Sequence, residues 1–188
     1  IVSIITFYEF NNLIIKIIKN KRKEKFILNI LILIYLIFFI YIGYNLNQKS
    51  QLDLIFILLL CIFSDTGGYV VGKLIGGIKL TKISPNKTIS GSIGSFLFSI
   101  FPIILFSEIL KNKFELIIIT NDIYKLILTC LFLSLVCQLG DLFISYLKRK
   151  AKIKDTGNIL PGHGGLLDRI DGLIFVFPAA YILSKLFF

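Results

Sequence analysis

The sequence has 188 residues and a net charge of +10, with 56% apolar and only 17% charged residues. A water-soluble domain carries about 25% charged residues, and the mean hydropathy here is +0.86. These figures exclude a soluble globular domain and a disordered chain, and three cysteines in apolar runs make no secreted disulfide framework. We therefore expect an all-α polytopic integral membrane protein.

Apolar stretches predict five confident transmembrane helices, since roughly 20 helical residues cross a bilayer core about 30 Å thick. The stretches are 26–46, 52–77, 89–110, 124–147 and 166–188. Residues 1–18 are apolar but carry Glu9, Asn11 and Asn12, and no Met opens the chain. We expect them to be the end of a span that begins outside this sequence. The predicted division is a partial N-terminal span with a basic loop over 1–25, and one transmembrane domain over 26–188.

Basic residues divide unequally between the two sides of this predicted bundle. Fourteen of the 21 Lys and Arg lie in the segments 16–25, 78–88 and 148–154, and four lie in the alternate connections. Because short cytoplasmic loops are enriched in Lys and Arg, the first group is predicted to face the cytoplasm. This placement explains the basic charge without nucleic acid, and we predict no nucleic-acid partner.

Five carboxylates of the predicted spans are candidates, because a charge there is costly and marks a functional residue by default. Glu108 lies near the outer end of its helix and could reach the interface, so four remain. They are Asp65, Asp141, Asp168 and Asp171. The spacing of Asp141, Ser145 and Lys148 puts them on one helix face. Acids beside basic, glycine-rich loops suit Mg²⁺, which prefers oxygen ligands and is usually shared with substrate phosphates. The alternative is that the acids pair with Lys73, Lys148 or Arg169 and only orient helices.

Glycines mark a packing face on the helix that carries Asp65. Gly68, Gly72 and Gly76 recur every four residues, a spacing that lets two helices approach closely in a membrane. We therefore expect Asp65 to face a neighbouring helix and not lipid.

Two polar loops on the predicted cytoplasmic side are candidates for binding phosphate. The loop 154–165 is rich in glycine, which lets backbone N–H groups approach an anion closely. His163, the only histidine, lies among these glycines. A role in the chemistry of a bound substrate and a purely structural role are equally open for it. The second loop, 84–88, offers the hydroxyls of Ser84 and Thr88 and the ammonium of Lys87.

The polar segments resemble those of one enzyme family. Its C-terminal pattern is matched by Ser145, Lys148-Arg149, Lys154-Asp155, Leu160-Pro161-Gly162-His163-Gly164-Gly165 and Asp168-Arg169-Ile170-Asp171. Together with Ser64-Asp65-Thr66-Gly67 and the loop 84–88, this resembles the phosphatidate cytidylyltransferase (CDP-diacylglycerol synthase) family. The resemblance runs from about residue 52 to the end. Ser90 stands where the family typically has Glu, and Gly68 where Ala is common.

The resemblance implies that CTP and phosphatidic acid give CDP-diacylglycerol and pyrophosphate, a step of phospholipid biosynthesis. It makes the domain 26–188 catalytic and implies a homodimer, with Mg²⁺ as cofactor and a second cation left open. Membrane lipid is the expected environment, with the substrate's tails between helices. We expect a bacterial inner membrane with the active-site loops in the cytoplasm, because no organelle signal is recognisable.

The resemblance also assigns roles to individual residues. Catalytic roles fall to Asp65, Asp141, Lys148, His163 and Asp168. Metal binding falls to Asp65, Asp141, Asp168 and Asp171, with Asp141 and Asp168 as the main ligands. Substrate binding falls to Ser84, Lys87, Thr88, Ser145, Arg149, Lys154, Asp155, Gly164, Gly165 and Arg169.

Two other kinds of function share part of these features. Another CTP-dependent lipid cytidylyltransferase, or a lipid kinase, has the same demand for phosphate and metal binding, and only the C-terminal pattern separates it. An ion-coupled transporter also places acids in broken helices. It predicts paired repeat halves, and we find no internal repeat in the sequence.

Overall fold

The computed structural model describes residues 1–19, 21–49, 51–110, 122–159 and 164–186. In these ranges the chain forms eight helices and no strand. They are α1 (Val2–Ile17), α2 (Arg22–Lys49), α3 (Gln51–Ile75), α4 (Ile89–Phe98), α5 (Phe101–Leu110), α6 (Ile123–Lys150), α7 (Leu167–Ile170) and α8 (Leu173–Leu186). The predicted all-α architecture is confirmed.

Four segments of the described chain are long and apolar enough to cross a membrane: 22–48, 51–75, 89–106 and 123–150. The first of them, in α2, has only 11% of its most apolar stretch buried inside the protein. Large apolar side chains such as Phe26, Ile34 and Ile37 are exposed along it. Such a surface is stable against lipid and not against water, so the protein is an integral membrane protein.

The predicted span 89–110 is interrupted near its middle. Helix α4 ends at Phe98 and α5 begins at Phe101, with Pro102 in the first turn of α5. Proline has no N–H to continue the hydrogen bonding of the preceding helix, but the first turn of a helix tolerates it. The two helices still form one apolar segment over 89–106.

The predicted span 166–188 differs from the structure, which divides it into α7 and α8 around Asp171 and Gly172. A Cβ atom on Gly172 would lie 2.5 Å from Cys137 Sγ, so α8 packs directly on α6. Helix α8 has 14 residues, fewer than the roughly 20 that a bilayer core takes. In the described part of the chain, four segments are long and apolar enough to cross a membrane, against the five that were predicted.

Helix α1 packs inside the bundle. Its buried face consists of Thr6, Glu9, Phe10, Leu13 and Ile14. Two of these join α2, α6, α7 and α8 in one core cluster, made by Phe10, Leu13, Leu36, Ile144, Ala151, Leu167 and Ile174. This packing brings α1 against the segment that leads into α7. The division of the chain at residue 25 stays a prediction.

Glycines allow α3 and α4 to pack at short range. A Cβ atom added to Gly68 would lie 2.4 Å from Ser95 Oγ, and one added to Gly72 would lie 3.0 Å from Thr88 Oγ1. The predicted packing role is confirmed for these two residues and wrong for Gly76. That glycine lies just beyond α3 with φ of 63° and no atom near its Cβ position, so it serves the left-handed turn that ends the helix.

Candidate active site

A polar cavity of about 450 Å³ lies between α3, α4, α6 and the start of the last helices. All four carboxylates predicted from the sequence line it: Asp65, Asp141, Asp168 and Asp171. Ser84, Lys87 and Thr88 from the predicted phosphate loop line it as well. The fold thus brings together three segments that the sequence analysis selected separately.

The loop between α3 and α4 is held by backbone hydrogen bonds across its two arms. Leu80 N donates to Lys87 O at 2.8 Å, and Ile89 N donates to Ile78 O at 3.0 Å. The hydroxyl of Thr88 then caps α4 by accepting from Gly91 N at 3.0 Å. With both ends fixed in this way, Lys87 is held at the cavity.

Lys87 and Asp141 form an ion pair in the cavity. The side chains remain 29% and 26% exposed, so both can be reached from the cavity. Ser145 Oγ donates to Asp141 Oδ1 at 3.3 Å, which confirms that the two residues share a face of α6. Ser90, which replaces the Glu typical of the family, donates to Gly76 O and contacts Thr88 Oγ1 at 2.9 Å. Lys87 is therefore oriented by Asp141 without that Glu.

Lys148 and Asp168 form a second, more enclosed ion pair. Lys148 Nζ lies 2.8 Å from Asp168 Oδ1, and the side chains are 14% and 10% exposed. The other oxygen, Oδ2, accepts from Thr156 N at 2.8 Å and Gly165 N at 2.9 Å, and it lies 3.0 Å from Thr156 Oγ1. Asp168 therefore fastens two loop segments and a lysine at the wall of the cavity.

Asp65 and Asp171 complete the acidic side of the cavity. The carboxyl of Asp171 lies within hydrogen-bonding range of Asp141 and also accepts from Gly172 N at 2.8 Å. Asp65 Oδ1 lies 3.8 Å from Cys137 Sγ. The carboxylate of Asp65 is also close enough to that of Asp141 for their charges to interact. Neighbouring carboxylates repel each other unless a proton or a cation lies between them. Among the described residues, no three His, Cys, Asp or Glu side chains are arranged to hold a metal ion by themselves.

A row of polar side chains on α6 extends the cavity wall and was missed by the sequence analysis. Gln138 Nε2 lies 3.4 Å from Ser134 Oγ, whose hydroxyl lies 2.8 Å from Ser64 Oγ. Gln138 Oε1 accepts from Ser92 Oγ on α4. The signal was available, because Ser134, Gln138, Asp141 and Ser145 recur at helical spacing along one face of an otherwise apolar helix.

Several predicted substrate-binding residues lie off the cavity wall. Lys154, Asp155 and Arg169 are exposed, and Arg149 donates from Nε to Ile83 O at 3.4 Å, which ties α6 to the loop 78–88. Three more do not line the cavity but contact a carboxylate that does: Ser145 contacts Asp141, and Lys148 and Gly165 contact Asp168. A Cβ atom on Gly164 would lie 2.9 Å from Asp168 Oδ2. Gly164 has φ of 82°, which glycine adopts readily. His163 lies outside the described residues, and its role stays a prediction.

The fold and this cavity define a polytopic helical membrane protein with acidic and basic side chains gathered at one cavity. A sequence profile described as "Cytidylyltransferase family" matches residues 1–187. The chain belongs to the cytidylyltransferase family.

The chain is similar to several proteins named phosphatidate cytidylyltransferase. The protein of Bacillus subtilis (strain 168) is 42% identical over 149 residues, which are 76% of this chain and 52% of the relative. The protein of Rickettsia bellii is 46% identical over 124 residues, 65% of this chain and 53% of the relative. The protein of Rickettsia prowazekii is 41% identical over 142 residues, which are 74% of this chain and 62% of the relative. The chain thus spans about half the length of the curated relatives it matches.

Proposed function

We propose that the protein is a CTP:phosphatidate cytidylyltransferase that makes CDP-diacylglycerol and pyrophosphate. The observation that carries the proposal is the cavity, in which Lys87 and the loop 84–88 meet four carboxylates at one place. Membership of the cytidylyltransferase family and the names of the relatives support the same reaction.

The proposed reaction joins two phosphates. An oxygen of the lipid phosphate attacks the α-phosphorus of CTP, a new P–O bond forms, and the bond from the α-phosphorus to the bridging oxygen breaks, so that pyrophosphate leaves. The lipid phosphate is already anionic, so no strong general base is needed. The barrier lies in bringing two anions together and in stabilising charge in the transition state, which positioned cations accomplish.

Basic and hydroxyl side chains would bind the phosphates. Lys87 is the cation on the cavity wall, and Ser84 and Thr88 offer hydroxyl groups beside it. Lys148 stands behind Asp168 and would orient it. Arg149 and Arg169 are exposed near the loops and would attract phosphate from solution. His163, Gly164 and Gly165 belong to the glycine-rich segment proposed to hold CTP or the leaving pyrophosphate.

The carboxylates fit a Mg²⁺ ion. Asp141 and Asp171 face each other within hydrogen-bonding range, a repulsive arrangement that a bound cation relieves. Mg²⁺ is usually held by one or two carboxylates together with substrate phosphates. Asp141 and Asp171 would hold the ion, with Asp65 beside them, and the ion would stabilise phosphate charge. Asp168 already accepts hydrogen bonds from Lys148 and from two backbone N–H groups, so it fits better as the residue that holds the wall.

The cellular setting is proposed from charge. Segments 16–25, 78–88 and 148–154 carry most of the basic residues, which favours a cytoplasmic position for the cavity mouth in a bacterial inner membrane. The homodimer implied by the family resemblance stays a prediction, and the mass of the protein in a detergent micelle, measured by light scattering, tests it.

The experiment that tests the proposal uses CTP labelled at the α-phosphate or at the γ-phosphate. The protein, purified in detergent, is incubated with this CTP and phosphatidic acid, with Mg²⁺ either present or chelated. We expect label from the α-phosphate in the lipid, label from the γ-phosphate in pyrophosphate, and no product without Mg²⁺. Transfer of the γ-phosphate to a lipid would replace the proposal with a lipid kinase. Turnover with other phospholipids but not with phosphatidic acid would point to a cytidylyltransferase of different specificity.

A further inference from the structure

Glu9 is a buried carboxylate to which the sequence analysis assigned no role. It lies on α1 with only 1% of its surface exposed. Its two oxygens accept from Leu166 N at 3.0 Å, Leu167 N at 2.7 Å and Thr156 Oγ1 at 2.9 Å. Each donor belongs to a segment next to the cavity, residues 155–157 and 164–167, called here the anchor segments.

Glu9 and Asp168 both hold the anchor segments. The hydroxyl of Thr156 lies 2.9 Å from Glu9 Oε2 and 3.0 Å from Asp168 Oδ2. A hydroxyl has one hydrogen to donate, so its orientation depends on both carboxylates. Leu166 and Leu167, which Glu9 holds through their N–H groups, lead directly into the turn that carries Asp168. A change at Glu9 is thereby transmitted to a residue on the cavity wall.

Two glycines let the carboxylate approach the backbone. A Cβ atom on Gly157 would lie 2.7 Å from Glu9 Oε1, and one on Gly165 would lie 2.6 Å from the same oxygen. Any side chain at either position would displace Glu9. Part of the glycine content of the segment is therefore explained by Glu9 and not by a phosphate.

We propose that Glu9 is a positioning residue that pre-orders the anchor segments for CTP, acting through Thr156 and Asp168. The inference rests on the proposed function. Because a segment that is already ordered loses less conformational entropy when a ligand binds, its anchor strengthens binding without touching the ligand. Loosening the anchor weakens CTP binding and leaves the binding of phosphatidic acid nearly unchanged.

The test compares four variants purified in detergent. Glu9→Gln keeps the size of the side chain but replaces one acceptor oxygen with an NH₂ group, which would face a hydrogen-bond donor of the anchor segments. Thr156→Val removes the bridging hydroxyl, and Thr156→Ser retains it. Thr6→Val is the matched control, since Thr6 is also buried on α1 and its hydroxyl donates only within that helix, to Val2 O at 2.9 Å.

The readouts are the Kd of CTP with Mg²⁺, the KM of each substrate, and amide hydrogen exchange. We expect Glu9→Gln and Thr156→Val to raise the Kd and KM of CTP about tenfold, with the KM of phosphatidic acid within twofold. Thr156→Ser and Thr6→Val should bind CTP like the wild type. Exchange at Leu166 and Leu167 should be faster in Glu9→Gln only. A mere loss of folded protein would lower the maximal rate without raising one KM selectively.

Two results would overturn the role of Glu9. The first is CTP binding within twofold of the wild type in folded Glu9→Gln or, if that variant fails to fold, in Thr156→Val. The second is a loss of CTP affinity in Thr6→Val as large as that in Glu9→Gln. The proposed function fails differently, through a wild type that binds no CTP or does not transfer CMP to phosphatidic acid. In that event the exchange rates at Leu166 and Leu167 still decide whether Glu9 orders the segment.

Discussion

Two lysine–aspartate pairs flank the same cavity, but their surroundings differ. Lys87 and Asp141 are 29% and 26% exposed, and Asp141 is also contacted by Ser145 and by the carboxyl of Asp171. Lys148 and Asp168 are 14% and 10% exposed, and Asp168 accepts two further hydrogen bonds, from backbone N–H groups of the anchor segments. The first pair, called here the open pair, can exchange its partner for a ligand at little cost. The second, the closed pair, cannot do so without releasing two loop segments.

The difference shows that similar charges serve different purposes according to how many donors surround them. A partly exposed ion pair contributes little to stability, about 0–1 kcal/mol, so its residues remain available for phosphate or metal. An enclosed pair is strongly destabilising when one partner is removed, by about 3 kcal/mol or more. We therefore assign chemistry to the open pair and loop geometry to the closed pair.

The largest effect is expected for Asp141→Asn in the open pair. Loss of a carboxylate that would hold Mg²⁺ and orient Lys87 should lower kcat by about 10³-fold or more, while the thermal unfolding midpoint in detergent changes little. Asp122→Asn is the matched control, because it makes the same substitution at the other end of α6, where Asn caps a helix as well as Asp. Near-normal turnover by Asp141→Asn would remove the open pair from the chemistry.

A smaller effect is expected from Gly94→Ala, which disturbs the packing of α4 on α3 and changes neither residue of the open pair. The added Cβ atom would lie 2.5 Å from Val71 Cβ and 2.7 Å from Gly67 O, so α3 and α4 must separate. We expect a loss of about 1–3 kcal/mol in the free energy of unfolding and a several-fold loss of activity. Gly43→Ala, with no atom within 4 Å of the new methyl group, should be neutral or slightly stabilising. Equal unfolding curves for the two variants would show that α3 and α4 need no close contact.

The smallest effect is expected from Ser90→Ala. Ser90 fixes the end of α3 through Gly76 O, whereas Asp141 orients Lys87. Steady-state kinetics should show kcat and the KM of CTP within about threefold of the wild type, since one partly buried hydrogen bond contributes about 1 kcal/mol. A loss as large as that of Asp141→Asn would mean that the loop, and not the ion pair, sets the position of Lys87.

Local features of the sequence sufficed to predict much of the site. Asp65, Asp141 and Asp171 stand out because charges are rare in apolar spans, and the structure places all three on one cavity. The role of Glu9 could not be predicted, since its partner Thr156 lies 147 residues away and nothing local links them. The tight contact of Gly172 with Cys137, where the last span is broken, is likewise a tertiary contact that nothing local predicts.

The most direct measurement compares Lys87→Met with Lys148→Met in one detergent, recording turnover and the free energy of unfolding for each. The account predicts that Lys87→Met abolishes most activity with less than about 1 kcal/mol of lost stability. Lys148→Met should lose about 3 kcal/mol, because it leaves Asp168 without its cation. The opposite pattern, with the stability loss at Lys87 and a stable but inactive Lys148→Met, would contradict the assignment of chemistry to the open pair.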